Sequence, residues 1–354
     1  MLSVEEFNTV VTMKVSDSDQ FLDTKTAKTA LKIVKNYDHL EPILTEKGSL
    51  NYFPIVYPDI QALYEKEKNC FWDINEIDMS YDKEHFMKLD SVTQHFIKNI
   101  LGFFATADAV VADNVSTNFV SDIKNFAIQT AYRWQTAMEG IHAEMYGVLI
   151  NEIINDEQEK EELQNAVNTI PCIQAKNAWA MKWAYSNAPF RQRVVANAIS
   201  EGIFFSGSFC AIFWIKEKNI MPGLCQSNEL ISRDENMHCI KASLVYKKLL
   251  YPMTAEEIYE MVSDAVIVEK GFIIDSLQCD CVGMNRNLMS QYIEYVADVL
   301  LQDFGYNKLY NSKNPFAFME NINLHIKGNF FEVRNTSYKR AAVQSGPVTV
   351  DEDF

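Results

Sequence analysis

From Phe71 to about Phe304, apolar residues recur at spacings of three and four, the period of helices that bury one face. Phe96, Ile97, Ile100, Leu101, Phe104, Ala107 and Val111 form the clearest run, and Ser91 with Gln94 three residues on reads as a capping box that opens it. The same pattern predicts helices over Asn125–Asn155, Arg191–Lys218, Ser227 or Asn228 to Leu250, Ala255–Asp275 and Asn287–Phe304, with Pro222-Gly223 as a stop. A helical stretch around Thr24–Asn36 lies in a more polar segment, and no fixed-period repeat or strand-rich block interrupts the pattern. The expected fold class is all-α, built from long helices.

Ala198–Ile215 is apolar on every side and long enough to raise the question of a membrane span. It carries Glu201, and a central helix of a large bundle has the same pattern, so the reading adopted is a buried helix and no membrane. Three segments follow: an N-terminal arm over 1–50, a helical domain over 51–334, and a polar tail over 335–354 that ends in acids and Phe354 and reads as a linear docking segment.

Composition narrows the classes. The 354 residues include 48 acids against 32 bases, a net charge of −16 that disfavours binding to nucleic acid. Seven scattered cysteines, of which only Cys279 and Cys281 are close, fit reduced intracellular thiols better than a disulfide framework or a zinc site. Glu5 and Glu6 stand where a secretion signal would carry basic residues, so the expected location is cytoplasmic.

The chemistry is carried by two of the six histidines. Glu139-Gly-Ile-His142 and Glu235-Asn-Met-His238 each place a carboxylate and an imidazole on one helix face. With 27 Glu and 6 His, chance supplies about half of one such pair, so two are informative only in company. That company is Asp108 and Glu201, single acids inside two other apolar helices, where an unpaired charge is costly. One acid from each of two helices and Glu-x-x-His from each of two more is the ligand set of the di-metal carboxylate bundles. Oxygen and imidazole without thiolate suits iron or manganese. Tyr146 lies one turn beyond His142 on the same face, beside that set, with Phe205 and Phe209 available to wall it with hydrocarbon.

At these residues the sequence resembles the small, radical-generating subunit of class I ribonucleotide reductase, in its eukaryotic-type branch. The resemblance runs from about Tyr52 to Phe354 through FPIVYPDI, FWDINEID, AMEGIHAEMY, EGIFFSGSF, MPGL, SNELISRDENMHC, QYIEYVADVLL and NPFAFMENI. It implies a ferritin-like homodimer in which Asp108, Glu139, His142, Glu201, Glu235 and His238 bind two iron ions per protomer, manganese being the alternative, and in which Tyr146 stores a radical. By position, Trp72 and Asp234, with His142, match the relay leading away from the metals, and Tyr338 the aromatic that hands over to the large catalytic subunit, which reduces ribonucleotides to deoxyribonucleotides. The tail Val348–Phe354 matches the docking segment for that subunit. Val348 stands where relatives often place Phe, which implies a matched partner, and Gly140 and Ala143 are smaller than usual in the metal helix. The rival readings are a ferritin-like iron oxidase or storage protein, which would need no Tyr146 or relay, and a non-catalytic partner subunit, which loss of ligands would favour.

Overall fold

The computed structural model describes residues 35–48, 50–276 and 284–319. The expected helix at Thr24–Asn36, the Cys279–Cys281 pair, Tyr338 and the tail segment Val348–Phe354 lie wholly or largely outside them. Among the described residues every regular element is helical. Eight helices have twelve or more residues: α1 Pro58–Asn69, α2 Ser91–Asn114, α3 Phe126–Ile153, α4 Pro171–Ala184, α5 Phe190–Lys216, α6 Pro222–Tyr246, α7 Ala255–Ser276 and α8 Arg286–Asp303. The largest interhelical contacts pair α2 with α3 and α5 with α6, and contacts of α3 with α6 and α2 with α5 join the pairs into a four-helix core. α1 packs on α3 and α6, while α4, α7 and α8 cover α5.

This enclosure explains the composition of α5. It is buried on all sides, with 94% of its most apolar window inside the protein, which accounts for the span-like pattern of Ala198–Ile215. A second apolar stretch, Ser91–Asp122, is 61% buried by the same measure because it faces the core on one side only.

Two details differ from the sequence-based expectation. The cap of α2 is Asp90, whose Oδ1 accepts from the N–H groups of Val92 and Thr93, while the Gln94 amide donates to Phe86 and Leu89 carbonyls instead of closing a box with Ser91. Pro222-Gly223 opens α6 rather than stopping a helix: Pro222 occupies the first turn, where its missing N–H costs nothing. The cap is remote. Asp82 Oδ1 and Oδ2 accept from the N–H groups of Gly223 and Leu224 at 3.0 and 2.6 Å. A Cβ at Gly223 would lie 2.7–2.8 Å from Met79, Asp78 and Asp82, so only glycine permits this approach.

Behind the core, α4 and α7 bury an ion pair. Lys176 Nζ lies 2.8 Å from Glu269 Oε2, donates to the Phe204 carbonyl, and sits 3.4 and 3.9 Å from the ring centres of Phe103 and Phe272. Burial pushes Glu269 up to about 7 and Lys176 down to about 8, against the attraction of each for the other. The native state therefore holds the extra proton on Glu269 between its ordinary 4.5 and about 7, and stability falls as pH rises through that window. Lys176 is the reverse: the unfolded state holds the extra proton from about 8 to 10.5, so stability recovers there. Lys176→Met or Glu269→Leu alone is expected to cost about 3–5 kcal/mol, and the two together to be neutral or stabilising by about 1–4 kcal/mol. Denaturant unfolding across the pH range should show the double variant's advantage greatest between about 7 and 8. A double variant as unstable as the single ones would contradict this.

Candidate metal centre

Each of the four core helices brings its predicted acid inward. Asp108 comes from α2, Glu139 and His142 from α3, Glu201 from α5, and Glu235 and His238 from α6, all at most 2% exposed. Potential ligand atoms of Asp108, Glu139 and His142 lie within 4.8 Å of one another, as do those of Glu139, Glu201, Glu235 and His238. Glu139 belongs to both groups. Its Oε2 is 3.4 Å from His142 Nδ1 and its Oε1 is 2.9 Å from His238 Nδ1. Glu235 does the same with its two oxygens, at 2.8 Å from His142 Nδ1 and 3.2 Å from His238 Nδ1. Two carboxylates thus lie between the imidazoles, with Asp108 and Glu201 in separate groups.

The fit of this cluster to two cations rests on its orphaned atoms. Both oxygens of Asp108, together with Glu139 Oε2, His142 Nδ1, Glu201 Oε2 and Glu235 Oε1, are buried and make no hydrogen bond. Buried acceptor atoms that lie close together and lack donors are what cation ligation needs, and four carboxylates balance two divalent cations. The electrostatics agree. Burial, then Glu235 and Glu139, drive the Asp108 carboxyl well above its ordinary range, and burial does the same to Glu201. Burial opposes ionisation of Glu139 too, yet the two imidazoles hold it low. Burial would lower both histidines, but the hydrogen bond with Asp234 and the negative charge of the adjacent Glu139 and Glu235 carboxylates hold His142 well above its usual value, and Glu139 and Glu235 do so for His238. The cluster calls for positive charge at its centre, which protons or metal ions supply.

Tyr146 is fully buried; its hydroxyl donates to Asn228 Oδ1 at 2.8 Å, and the Asn228 amide nitrogen is in turn tied to the Leu224 carbonyl. Phe104 stacks on the phenol with ring centres 4.5 Å apart, and Phe205 and Phe209 pack on Phe104. Burial, then the Asp108, Glu235 and Glu139 carboxylates, put phenolate formation far out of reach. On the opposite side of His142, Nε2 lies 3.3 Å from Asp234 Oδ2, which also accepts the Trp72 indole N–H at 2.8 Å. The Trp72 and His142 rings are near parallel, 6.1 Å apart. Arg233 donates to Asp234 Oδ1 through Nε and Nη2 and reaches the Cys70 carbonyl. Burial works to raise Asp234, and Arg233 and His142 outweigh it, so the carboxylate stays ionised. The nine described residues expected at the site therefore meet in one place. Tyr338 lies outside the described residues.

Sequence reading missed the polar side chains around the candidate ligands. Gln135 and Asn197 both donate to Glu201 Oε1, at 2.6 and 2.8 Å, and the buried Lys241 lies 3.2 Å from Gln135 Oε1. The available signal was their spacing: Gln135 and Asn197 each precede a candidate ligand by one helical turn inside an apolar helix. A partly open cavity of about 130 Å³ reaches Glu201 and Glu235 between α5, α6 and α8, lined also by Phe209, Phe213, Asn236 and Tyr292.

The model of the family described as "Ribonucleotide reductase, small chain" matches residues 49–315. The ribonucleoside-diphosphate reductase small chain from Nicotiana tabacum is 46% identical over 323 residues, covering 89% of this sequence and 98% of its own length. Subunit M2 of the same enzyme from Mesocricetus auratus is 44% identical over 316 residues, covering 89% and 82%. Among solved structures, the ribonucleotide reductase Rnr4 homodimer from Saccharomyces cerevisiae superposes with a TM-score of 0.74 at 32% identity, covering 82% of this protein and 93% of that one. The dimanganese(II)-NrdF of Streptococcus sanguinis, at 18% identity and a TM-score of 0.70 over 78% of this protein and 99% of its own length, shares the fold.

Proposed function

The chain belongs to the ribonucleotide reductase small-chain family, and from that premise we propose that it houses two iron ions, stores a radical on Tyr146 and delivers it to a large catalytic subunit. The observation that carries the proposal is the set of orphaned, inward-facing ligand atoms on four helices beside a buried phenol. Asp108, Glu139, His142, Glu201, Glu235 and His238 are the metal ligands in this reading. Manganese is the alternative metal, since the same donors accept it. When bound, the reduced metal pair supplies, on reaction with dioxygen, the one-electron oxidant that the side chains here lack.

The remaining roles fall to the protein. Tyr146 yields an electron and its phenolic proton together, because burial makes the phenolate inaccessible while a neutral radical suffers no such penalty. The Phe104, Phe205 and Phe209 rings keep water from it. Asp234 holds Trp72 and His142 in register for the equivalent to leave, and Tyr338 passes it on. The domain over 51–334 and the tail over 335–354 divide these tasks, with an arm over 1–50 preceding them, in a cytoplasmic homodimer, where the five free described cysteines stay reduced.

Two experiments test this reading. The metal-free protein is expected to take up two divalent cations, and free metal at 100 times Kd should add about 2.7 kcal/mol of stability per site. Asp108→Asn should remove one site and Glu139→Gln, shared by both groups, should remove both. Loss of a single site in Glu139→Gln would contradict the shared role. Deleting Val348–Phe354 is expected to leave the radical intact and abolish turnover with the large subunit; unchanged turnover would refute docking through that tail.

A further inference from the structure

Glu201 is the acid of the cluster that has one oxygen held by two side-chain amides. Oε1 accepts two side-chain amides, from Gln135 at 2.6 Å and Asn197 at 2.8 Å, while Oε2, equally buried, accepts nothing. Each amide is backed by a donor that fixes its sense. Asn197 Oδ1 accepts the Asn114 amide at 2.8 Å, and Asn114 Oδ1 accepts that of Asn118 at 2.9 Å, which lies in the π-helical turn Val115–Phe119 at the end of α2. On the other side Gln135 Oε1 accepts from Lys241 Nζ at 3.2 Å.

An amide can be turned over with little change of shape, exchanging a donor for an acceptor. For Gln135 the reversed sense would aim its oxygen at Glu201 Oε1 and at Glu139 Oε1, 3.3 Å from the amide nitrogen, setting lone pairs against two carboxylates. It would also point N–H groups at an ammonium, which has no acceptor. The ammonium is held firmly enough to decide the matter: Lys241 is fully buried, with Glu67 Oε1 at 3.0 Å, the Ala131 carbonyl at 3.3 Å and Gln135 Oε1 as its three partners.

We infer that Lys241 through Gln135, and Asn114 through Asn197, are positioning residues that tie down Glu201 Oε1 and leave Oε2 as the one oxygen offered to a cation. This rests on the metal reading above and deepens it: Glu201 is a one-oxygen ligand by construction of the protein, and removing either arm frees its carboxylate to turn.

The test is manganese(II) titration of the metal-free full-length protein, read from the EPR signal of unbound manganese, with the melting temperature of the metal-free protein as the structural control. Wild type should bind two ions. Gln135→Leu is expected to weaken one site by about 10–100-fold and spare the other. Asn197→Leu, acting from the opposite side, should give the same loss and serves if Gln135→Leu fails to fold. The neutral exchange Lys241→Gln with Glu67→Gln should weaken that same site, the one Glu201→Gln removes. Added to Gln135→Leu it should cost nothing more, because the lysine acts through the glutamine. Additive losses, equal weakening of both sites, or no change would overturn the inference while leaving the metal reading intact. A wild-type protein that takes up no manganese would overturn both.

Discussion

Tyr146→Phe is expected to bind two metal ions like wild type and to support no ribonucleotide reduction above background with the cognate large subunit. The substitution removes one hydroxyl and keeps the ring, so the stack on Phe104 at 4.5 Å survives. What it leaves behind is Asn228 Oδ1 without a donor, a cost of about 1–3 kcal/mol that a core of this size tolerates. None of the six ligands touches the missing hydroxyl through a hydrogen bond, so uptake should not change. A phenylalanine ring cannot give up an electron with a proton, and the activity should vanish rather than decline. Retained turnover would place the radical elsewhere; loss of metal together with activity would make Tyr146 a structural element of the ligand shell.

Asp234→Ala should separate radical formation from radical use. Oδ2 is shared by the Trp72 indole at 2.8 Å and His142 Nε2 at 3.3 Å, and Oδ1 accepts from Arg233. Removing the carboxylate leaves a buried indole N–H and an imidazole nitrogen without acceptors and loosens the near-parallel Trp72 and His142 rings. The expected result is a tyrosyl signal close to wild type per metal bound, with turnover down by about 10–100-fold or more. Trp72→Phe, which leaves the ion pair of Asp234 with Arg233 in place, should act in the same direction. If turnover and radical content fell in proportion, the aspartate would be acting on the metal site alone.

The candidate ligand set was legible because it is periodic. A carboxylate and an imidazole three residues apart, together with lone acids in apolar helices such as α5, need partners in a core, so in combination the pattern points toward cation ligation. The long core helices were legible for the same reason. Legibility failed where stability comes from contacts far apart in sequence. α1 and α4, of 12 and 14 residues, were not predicted: each carries Pro at its first turn, α1 buries Ile60, Leu63 and Glu67 within a mostly polar sequence, and α4 mixes Lys176 and Asn177 into its buried face. The start of α6 was misplaced because its cap, Asp82, lies 141 residues away from Gly223. Lys241 and Glu67 meet across 174 positions, and Lys176 and Glu269 across 93; neither pairing leaves a local trace. Gln135 and Asn197 could have been found, since both sit one turn before a ligand, but a polar residue at that spacing has meaning only once the ligand is known.

Everything proposed for the four-helix cluster depends on its loading metal and oxidising Tyr146. Low-temperature EPR of the metal-free protein after addition of ferrous iron and dioxygen, beside the Tyr146→Phe variant, tests it most directly. Wild type is expected to give a tyrosyl signal that is absent from the variant, with two irons bound in each. The same signal in both proteins, or two bound irons and no radical in wild type, would contradict it.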